Sequence, residues 1–376
     1  MEIHGRFDER FRPVHDAFAA NFERGAELGA SVCVTLDGDP VVDLWAGAAA
    51  PGGAAWAEDT IVNVYSTTKT MAALCVLMLA DRGKLDLSAP VAEYWPEFAE
   101  NGKQGVLVRH VMSHSAGVAG FDPPIRPEQL YDWDAVATQL AGQAPWWEPG
   151  SVSGYHAITQ GFLQGELVRR VTGQSLGTFF RENVSAPLGA DFHIGLAAEH
   201  DGRVGELVPP EALPANQPES PGEVAIRTFN SCELTGTEPR TRAWRAAEIP
   251  AAGGIGNARS VGRIHSAIAC GGAVDGVTLL SPEGVEVILE EQTSGQDLVL
   301  GVPMRFGMGF GLKSEAMPLG PNERVCFWGG WGGSLAWIDL DARLTVSYVM
   351  NHMESDLLGD LRGGSLALAS YACLEN

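Results

Sequence analysis

Residues 61–83 read IVNVYSTTKTMAALCVLMLADRG, and the rest of the chain falls into place around them. A short strand-like run, 61–65, gives way at Ser66 to a segment in which apolar residues cover nearly every helical face as far as Asp81-Arg82-Gly83. A helix that is apolar all round is a buried one, and a glycine just past its last periodic residue stops it. At its head, Ser66 and Lys69 stand three apart, on one face. A serine hydroxyl is a poor nucleophile until a neighbour takes its proton; a lysine held among apolar groups has its ammonium form destabilised and can be that neighbour. The helix N-terminus adds backbone N–H groups for a developing oxyanion. The competing reading makes Ser66 an N-cap and Lys69 a snorkelling side chain. A lysine that begins an all-apolar helix has few places to snorkel.

Before this stretch, SVCVTLDGDPVVDLWAG (31–47) reads as two β-rich runs about Asp37-Gly38, a hairpin signal. After it, residues 85–195 are mainly helical in pattern: Leu130, Trp133, Ala137 and Leu140 share one face, as do Ile158, Phe162 and a Leu163/Leu167/Val171 stripe. Residues 201–250 hold seven prolines in polar surroundings and read as long loops, a candidate pocket wall. Helices resume at 258–270 and after Ser281, an N-cap followed by Pro282. ERVCFW, SLAWIDL and LTVSYVM are strand-like, and residues 357–374 close the chain as a helix. Strand-rich ends around a helical middle imply an α+β fold, an antiparallel sheet flanked by helices with a mostly helical domain inserted. Residues 1–85 and 252–376 form the sheet-containing domain in this reading, and residues 86–251 the helical one with its long loops.

Composition bounds the function. In 376 residues, 45% hydrophobic and 19% charged, disorder is excluded as the main state. With 25 Lys and Arg against 47 Asp and Glu, the net charge of -22 repels phosphate backbones and anionic headgroups, so neither nucleic acid nor a membrane surface is expected as a partner. The six cysteines are scattered, with no CxxC and no metal-ligand spacing, as in reduced cytosolic proteins. Residues 1–18 carry acids early and have no apolar signal-like core, and the longest apolar run, 71–80, falls well short of the ~20 residues that span a bilayer. The expected setting is the cytoplasm.

Two motifs read as decoys. Residues 173–177, GQSLG, match the GxSxG nucleophile elbow, which needs a strand before it. The preceding residues are helical in period, so Gly173 reads as a helix end and Ser175 as the cap of the next helix. His110 and His114 have a zinc-ligand spacing but no HExxH pattern and no third carboxylate ligand, which favours hydrogen bonding around the turn 113–117. No Walker loop or dinucleotide fingerprint is present, so neither metal nor cofactor is expected. Two further segments read as site walls: PGSVSGYH (149–156), which delivers Tyr155 and His156 to a helix start, and WGGWGGS (328–334), whose glycines in a strand context mark close approach.

Taken in order, STTK (66–69), RHVMSHSAG (109–117), the PGSVSGYH stretch with its following helices, PAAGGIGNARSVGRIHSAI (250–268) and FWGGWGGS (327–334) resemble the serine β-lactamase and penicillin-binding-protein superfamily. Within it they are most similar to the class C β-lactamases and their related esterases. The resemblance implies Ser66 as the acylated nucleophile, Lys69 as its proton partner and Tyr155 as general base and as acid to the leaving group. Trp328-Gly329-Gly330, the first of two Trp-Gly-Gly triplets, stands where that family has Lys-Thr-Gly. The backbone N–H groups of Ser66 and Trp331 then form the oxyanion hole, with Trp328, Gly329, Gly330 and His156 against the substrate. Two departures point away from β-lactams: the family's Tyr-x-Asn is Tyr155-His156-Ala157 here, and its cationic lysine is Trp328, a pattern resembling family VIII carboxylesterases. The expected function is hydrolysis of small carboxylic esters. The alternatives are a β-lactamase or D-Ala peptidase, for which Arg259 or Arg305 would have to supply the missing cation, and a catalytically silent ligand-binding protein of the same fold. The sequence does not specify an oligomeric state.

Overall fold

The hairpin at Asp37-Gly38 joins two neighbouring strands of the main sheet. Strands Gly29–Leu36 and Asp39–Gly47 pair antiparallel, with Asp37 at φ +53° and Gly38 at φ +90°, the left-handed pair that a tight two-residue hairpin turn requires. The computed structural model describes residues 1–210 and 222–374. Nine strands lie in the spatial order Ile3–Phe7, Asp39–Gly47, Gly29–Leu36, Leu344–Met350, Leu335–Asp339, Val325–Gly329, Gly311–Leu312, Pro303–Phe306, Thr293–Gln296, all neighbours antiparallel. Both chain ends therefore build one sheet.

The central strands read as continuous apolar runs because both faces are covered: Leu344–Met350 and Leu335–Asp339 are buried at every position. Helix Ala258–Ala269 packs across the central strands, and helices Arg12–Glu23 and Leu361–Ala372 pack on one another and on the sheet. The edge strand Ile3–Phe7 and the helix after it were not foreseen. The strand exposes its middle three residues, so it carries no burial pattern in its sequence. Gly5 within it sits at φ +106°, where a Cβ would lie 2.0 Å from the Asp43 carbonyl oxygen.

Helix Thr68–Asp81 is buried from Thr68 through Leu79 and ends before Gly83 at φ +63°. It packs on helices Thr159–Thr172, Leu176–Phe180 and Pro282–Leu289. A second sheet of three short strands joins distant parts of the chain: Val62–Asn63 and Phe192–Ile194 flank Gly254–Gly256. This small sheet fixes the approach to Ser66. The fold is α+β with antiparallel sheet, and one hydrophobic cluster runs through the sheet strands and the helices of the middle segment alike. The proline-rich stretch 201–250 is less loop-like than its composition implies, since it contains helices Glu223–Asn230 and Arg242–Ala246, too short to show periodicity among prolines; residues 211–221 lie outside the described residues. Among the described residues no helix is long and apolar enough to cross a membrane.

Candidate active site

Ser66 sits in a single 3-10 turn, Tyr65–Thr67, between strand Val62–Asn63 and the buried helix. The turn is clamped on two sides. The Val64 amide donates to the Gly254 carbonyl at 2.9 Å, and Thr68 Oγ1 donates to the Tyr65 carbonyl while accepting from the Gly254 amide. From the main sheet, Ser334 Oγ donates to the Val64 carbonyl at 2.8 Å and lies 2.9 Å from Thr67 Oγ1. Tyr65 is held at φ +43°, a conformation costly for a non-glycine residue and maintained by these clamps.

Two groups meet at Ser66 Oγ. Tyr155 donates its hydroxyl hydrogen to it at 2.6 Å, and Lys69 Nζ lies 3.2 Å away. Lys69 is fully enclosed and has no carboxylate partner; its Nζ donates to the carbonyls of Ala157 at 2.7 Å and Ala251 at 2.9 Å. Burial holds its pKa well below the usual lysine value. A neutral amine has two N–H bonds and one lone pair. With both hydrogens on carbonyls, the lone pair is left for Ser66, whose own hydroxyl hydrogen is free because Oγ accepts from Tyr155. Desolvation raises the Tyr155 phenol, which therefore stays protonated, with Ser66 and the Trp328 indole pulling more weakly the other way.

Tyr155 is positioned by the turn after helix Val108–Met112. The His156 amide donates to His114 Nδ1 at 3.0 Å, the Gly154 amide to the His114 carbonyl at 2.9 Å, and the Tyr155 amide to Asp297 Oδ1 at 3.0 Å. The His114 and Trp328 rings lie 4.9 and 5.5 Å from that of Tyr155, centroid to centroid. His114 thus braces the tyrosine, and among the described residues no group of three potential metal ligands occurs.

The end of strand Val325–Gly329 comes against the serine because its glycines leave room. A Cβ on Gly330 would lie 2.2 Å from the Val64 carbonyl oxygen and 3.2 Å from the Ser66 amide nitrogen, and one on Gly329 would lie 2.1 Å from the Leu358 carbonyl carbon. Gly333, from the second triplet, faces Asp360 and Arg362 instead. Within the nucleophile turn the amides of Thr67 and Thr68 donate back to Val64, Tyr65 and Ser66 carbonyls, which leaves the Ser66 amide facing the strand end.

Not every expected residue reaches the substrate space, a cavity of about 480 Å³ that opens on Ser66 and Tyr155. Trp328 is 2% exposed and lies under Tyr155, stacked on His114 and beside Phe306, outside the lining. His156 is also outside it: Nδ1 bonds the Gly154 carbonyl and Nε2 accepts from the Val118 amide, so both ring nitrogens are used, and burial lowers its pKa to about 3. Gly329 and Gly330 shape the wall from behind. Trp331 and Tyr65 form the lining instead, with Phe121, Ile158 and the segment 228–235, part of the stretch expected to wall a pocket. Arg259 pairs with Asp43 and Glu58, and Arg305 with Glu291, so neither replaces the missing lysine. Among the described residues the lining holds no Lys, Arg or His and one carboxylate, Glu233. Ser175 caps helix Leu176–Phe180 and donates to Glu248 at 2.6 Å, with Gly173 at φ +75° ending the helix before it.

The chain is similar to proteins of known kind over nearly its whole length. It is 36% identical over 371 residues to the esterase/beta-lactamase LipL of Mycobacterium tuberculosis, covering 95% of this chain and 84% of LipL. A solved family VIII carboxylesterase superposes with a TM-score of 0.94 at 42% identity, covering 99% of this chain and all of the other. A penicillin-binding-protein homologue from Caulobacter crescentus gives 0.94 at 38%, with the same coverage. The family model described as Beta-lactamase matches residues 14–369, and with that span the chain belongs to the β-lactamase family.

Proposed function

We propose that the protein is a serine hydrolase that cleaves small carboxylic esters through an acyl-enzyme on Ser66. The observation that carries this reading is the hydrogen-bond chain from Tyr155 through Ser66 to Lys69, whose pKa burial holds well below the usual value, facing a cavity whose described lining holds no cation. Ser66 Oγ attacks the ester carbonyl carbon as its proton passes to Lys69 Nζ. The oxygen of the tetrahedral intermediate takes hydrogen bonds from the Ser66 and Trp331 amides. The bond to the alcohol breaks, Tyr155 protonates the departing alkoxide, and the proton on Lys69 returns to the Tyr155 oxygen. Water then enters where the alcohol left and the same transfers, reversed, release the acid and restore Ser66. No metal or cofactor is needed for these transfers. LipL and the family VIII enzyme, both named for ester hydrolysis, support the choice of esters.

A β-lactam brings a carboxylate beside its reacting ring, and an ion buried without a partner costs several kcal/mol. Among the described residues of this cavity's lining it meets no cation and one carboxylate, on a chain of net charge -22. Neutral esters should therefore exceed β-lactams in kcat/KM by several decades. The six free cysteines, five of them buried, fit the cytoplasmic setting expected from the sequence. The test is intact-protein mass spectrometry after a fluorophosphonate, with steady-state rates on a short nitrophenyl ester and on nitrocefin. Labelling at Ser66, loss of ester hydrolysis in Ser66→Ala and its retention in Ser175→Ala are expected. Comparable specificity constants for ester and nitrocefin would overturn the substrate assignment.

A further inference from the structure

Asp297 is a buried carboxylate with no cation beside it. It is 1% exposed, and among the described residues no Lys, Arg or His pairs with it. It sits where strand Thr293–Gln296 turns back into strand Pro303–Phe306 at the outer edge of the main sheet. One of its oxygens, Oδ1, accepts three backbone amides: those of Val299 at 2.9 Å and Leu300 at 2.8 Å, which fold the turn, and that of Tyr155 at 3.0 Å, 142 positions away. A second bond runs beside the last, from the Leu298 amide to the Ser153 carbonyl at 2.9 Å. Burial raises the Asp297 pKa, and the amides of Leu300, Tyr155 and Val299 pull the other way, as bonds to an ionised oxygen do. An ion taken out of water without a partner costs several kcal/mol, so a carboxylate here needs a reason beyond closing a turn. An asparagine closes turns with the same oxygen and has no charge to bury. What the charge adds is the strength of its hydrogen bonds, about twice that of neutral ones.

That grip falls on the residue whose placement the chemistry needs most. Tyr155 lies in a segment without helix or strand, so no ladder or helical turn takes its amide, and Asp297 does. Its hydroxyl stands 2.6 Å from Ser66 Oγ, beside the carbon that the serine and the departing alcohol share in the tetrahedral intermediate. As the bond from that carbon to the alcohol breaks, its electron pair goes to the alcohol oxygen, which takes the Tyr155 proton, and the Tyr155 oxygen takes one from Lys69. A nitrophenolate leaves without such a proton. An alkoxide is too basic to do so. Resting on the ester-hydrolase reading above, in which Tyr155 is the acid to the leaving group, we infer that Asp297 is a positioning residue that sets the leaving-group range: by clamping the Tyr155 backbone it extends hydrolysis from aryl esters to alkyl esters. The negative charge of the same carboxylate adds to the burial that holds the phenol protonated.

The probes are four acetates whose alcohol halves differ in basicity: 4-nitrophenyl, phenyl, trifluoroethyl and ethyl. The readout is kcat/KM, which stops at the acyl-enzyme that all four share. Asp297→Ala should lose on the order of 10²-fold on ethyl acetate, the cost of a displaced catalytic group, and about tenfold less than that on 4-nitrophenyl acetate. Asp297→Asn, which keeps an oxygen for the amides, should show the same tilt in smaller measure, and it carries the test if the alanine variant does not fold. Tyr155→Phe, measured alongside, should show the steepest tilt of all. Losses equal across the four esters in the Asp297 variants that fold, beside a tilt in Tyr155→Phe, would make Asp297 a structural residue and overturn the inference. Absence of a tilt in Tyr155→Phe would instead overturn the acid role of the tyrosine, the reading on which it rests.

Discussion

Burial holds the Lys69 pKa well below its usual value: among the described residues no carboxylate pairs with it, and two carbonyls accept from its Nζ. Its folded pKa is depressed, so the active, neutral form is lost as pH falls through that value, and kcat/KM should show an acid limb below the ordinary lysine range. Tyr155→Phe should lower the rate ~10²–10⁴-fold, as for a general acid–base group, yet keep that limb because Lys69 remains. Disappearance of the limb in Tyr155→Phe would assign it to the tyrosine. At this scale the sequence was legible where chemistry depends on spacing along one helix, as for Ser66 and Lys69. It was misleading at His156, where adjacency to Tyr155 suggested a shared site. Successive residues of a bent segment point different ways, and the His156 ring turns into the backbone of residues 118 and 154. The positive φ of Tyr65 left no trace in the sequence, since the groups that clamp its turn, Gly254 and Ser334, lie far along the chain.

Elements were legible in proportion to their burial pattern. The all-apolar helix, the central strands and the Asp37-Gly38 hairpin announce themselves, whereas the edge strand Ile3–Phe7 and the short helices near prolines do not. The glycines of strand end 328–330 were readable as close approach, but what they approach was not: Gly330 meets the carbonyl of Val64 and the amide of Ser66. Gly330→Ala forces a Cβ into that backbone contact, and the strand end must retreat from the nucleophile. Displacements near 1 Å can cost about 10²-fold in rate, and kcat/KM of Gly330→Ala should fall by that order with the circular-dichroism spectrum unchanged. Gly364→Ala is the control. Its Cβ meets nothing within 4 Å inside helix Leu361–Ala372, so it should keep full activity and gain about 0.5–1 kcal/mol of stability. Equal activity losses in both variants would mean that the strand end does not set the site.

Across the whole molecule, buried ionisable groups make stability depend on pH in a direction the net charge alone does not give. Moving from neutrality towards the isoelectric point near 4.7 relieves self-repulsion. Glu27, raised by burial to about 7 beside Arg362 and Tyr348, binds its proton earlier in the folded state than in the unfolded one and also favours folding as pH falls from about 7 to 4.5. Three buried histidines act the other way. His114, His156 and His265 are held neutral by desolvation, with values well below normal, about 3 and about 4 respectively. Below about pH 6.5 the unfolded chain takes up protons that these folded sites refuse, so stability falls with pH until the folded values are reached. His265 isolates the effect, being outside the cavity lining, with Nδ1 on the Val261 carbonyl and Nε2 buried without a partner among the described residues. Each proton of difference is worth about 1.4 kcal/mol per pH unit, so its penalty reaches about 3 kcal/mol near pH 4. His265→Met, which keeps an apolar body against Phe310, should therefore match the native protein at pH 8 to within the loss of one hydrogen bond and overtake it progressively below pH 6.5. Urea denaturation at pH 8, 6, 5 and 4 measures this directly: parallel stability curves for the two proteins would show that His265 titrates in the fold as it does in the unfolded chain.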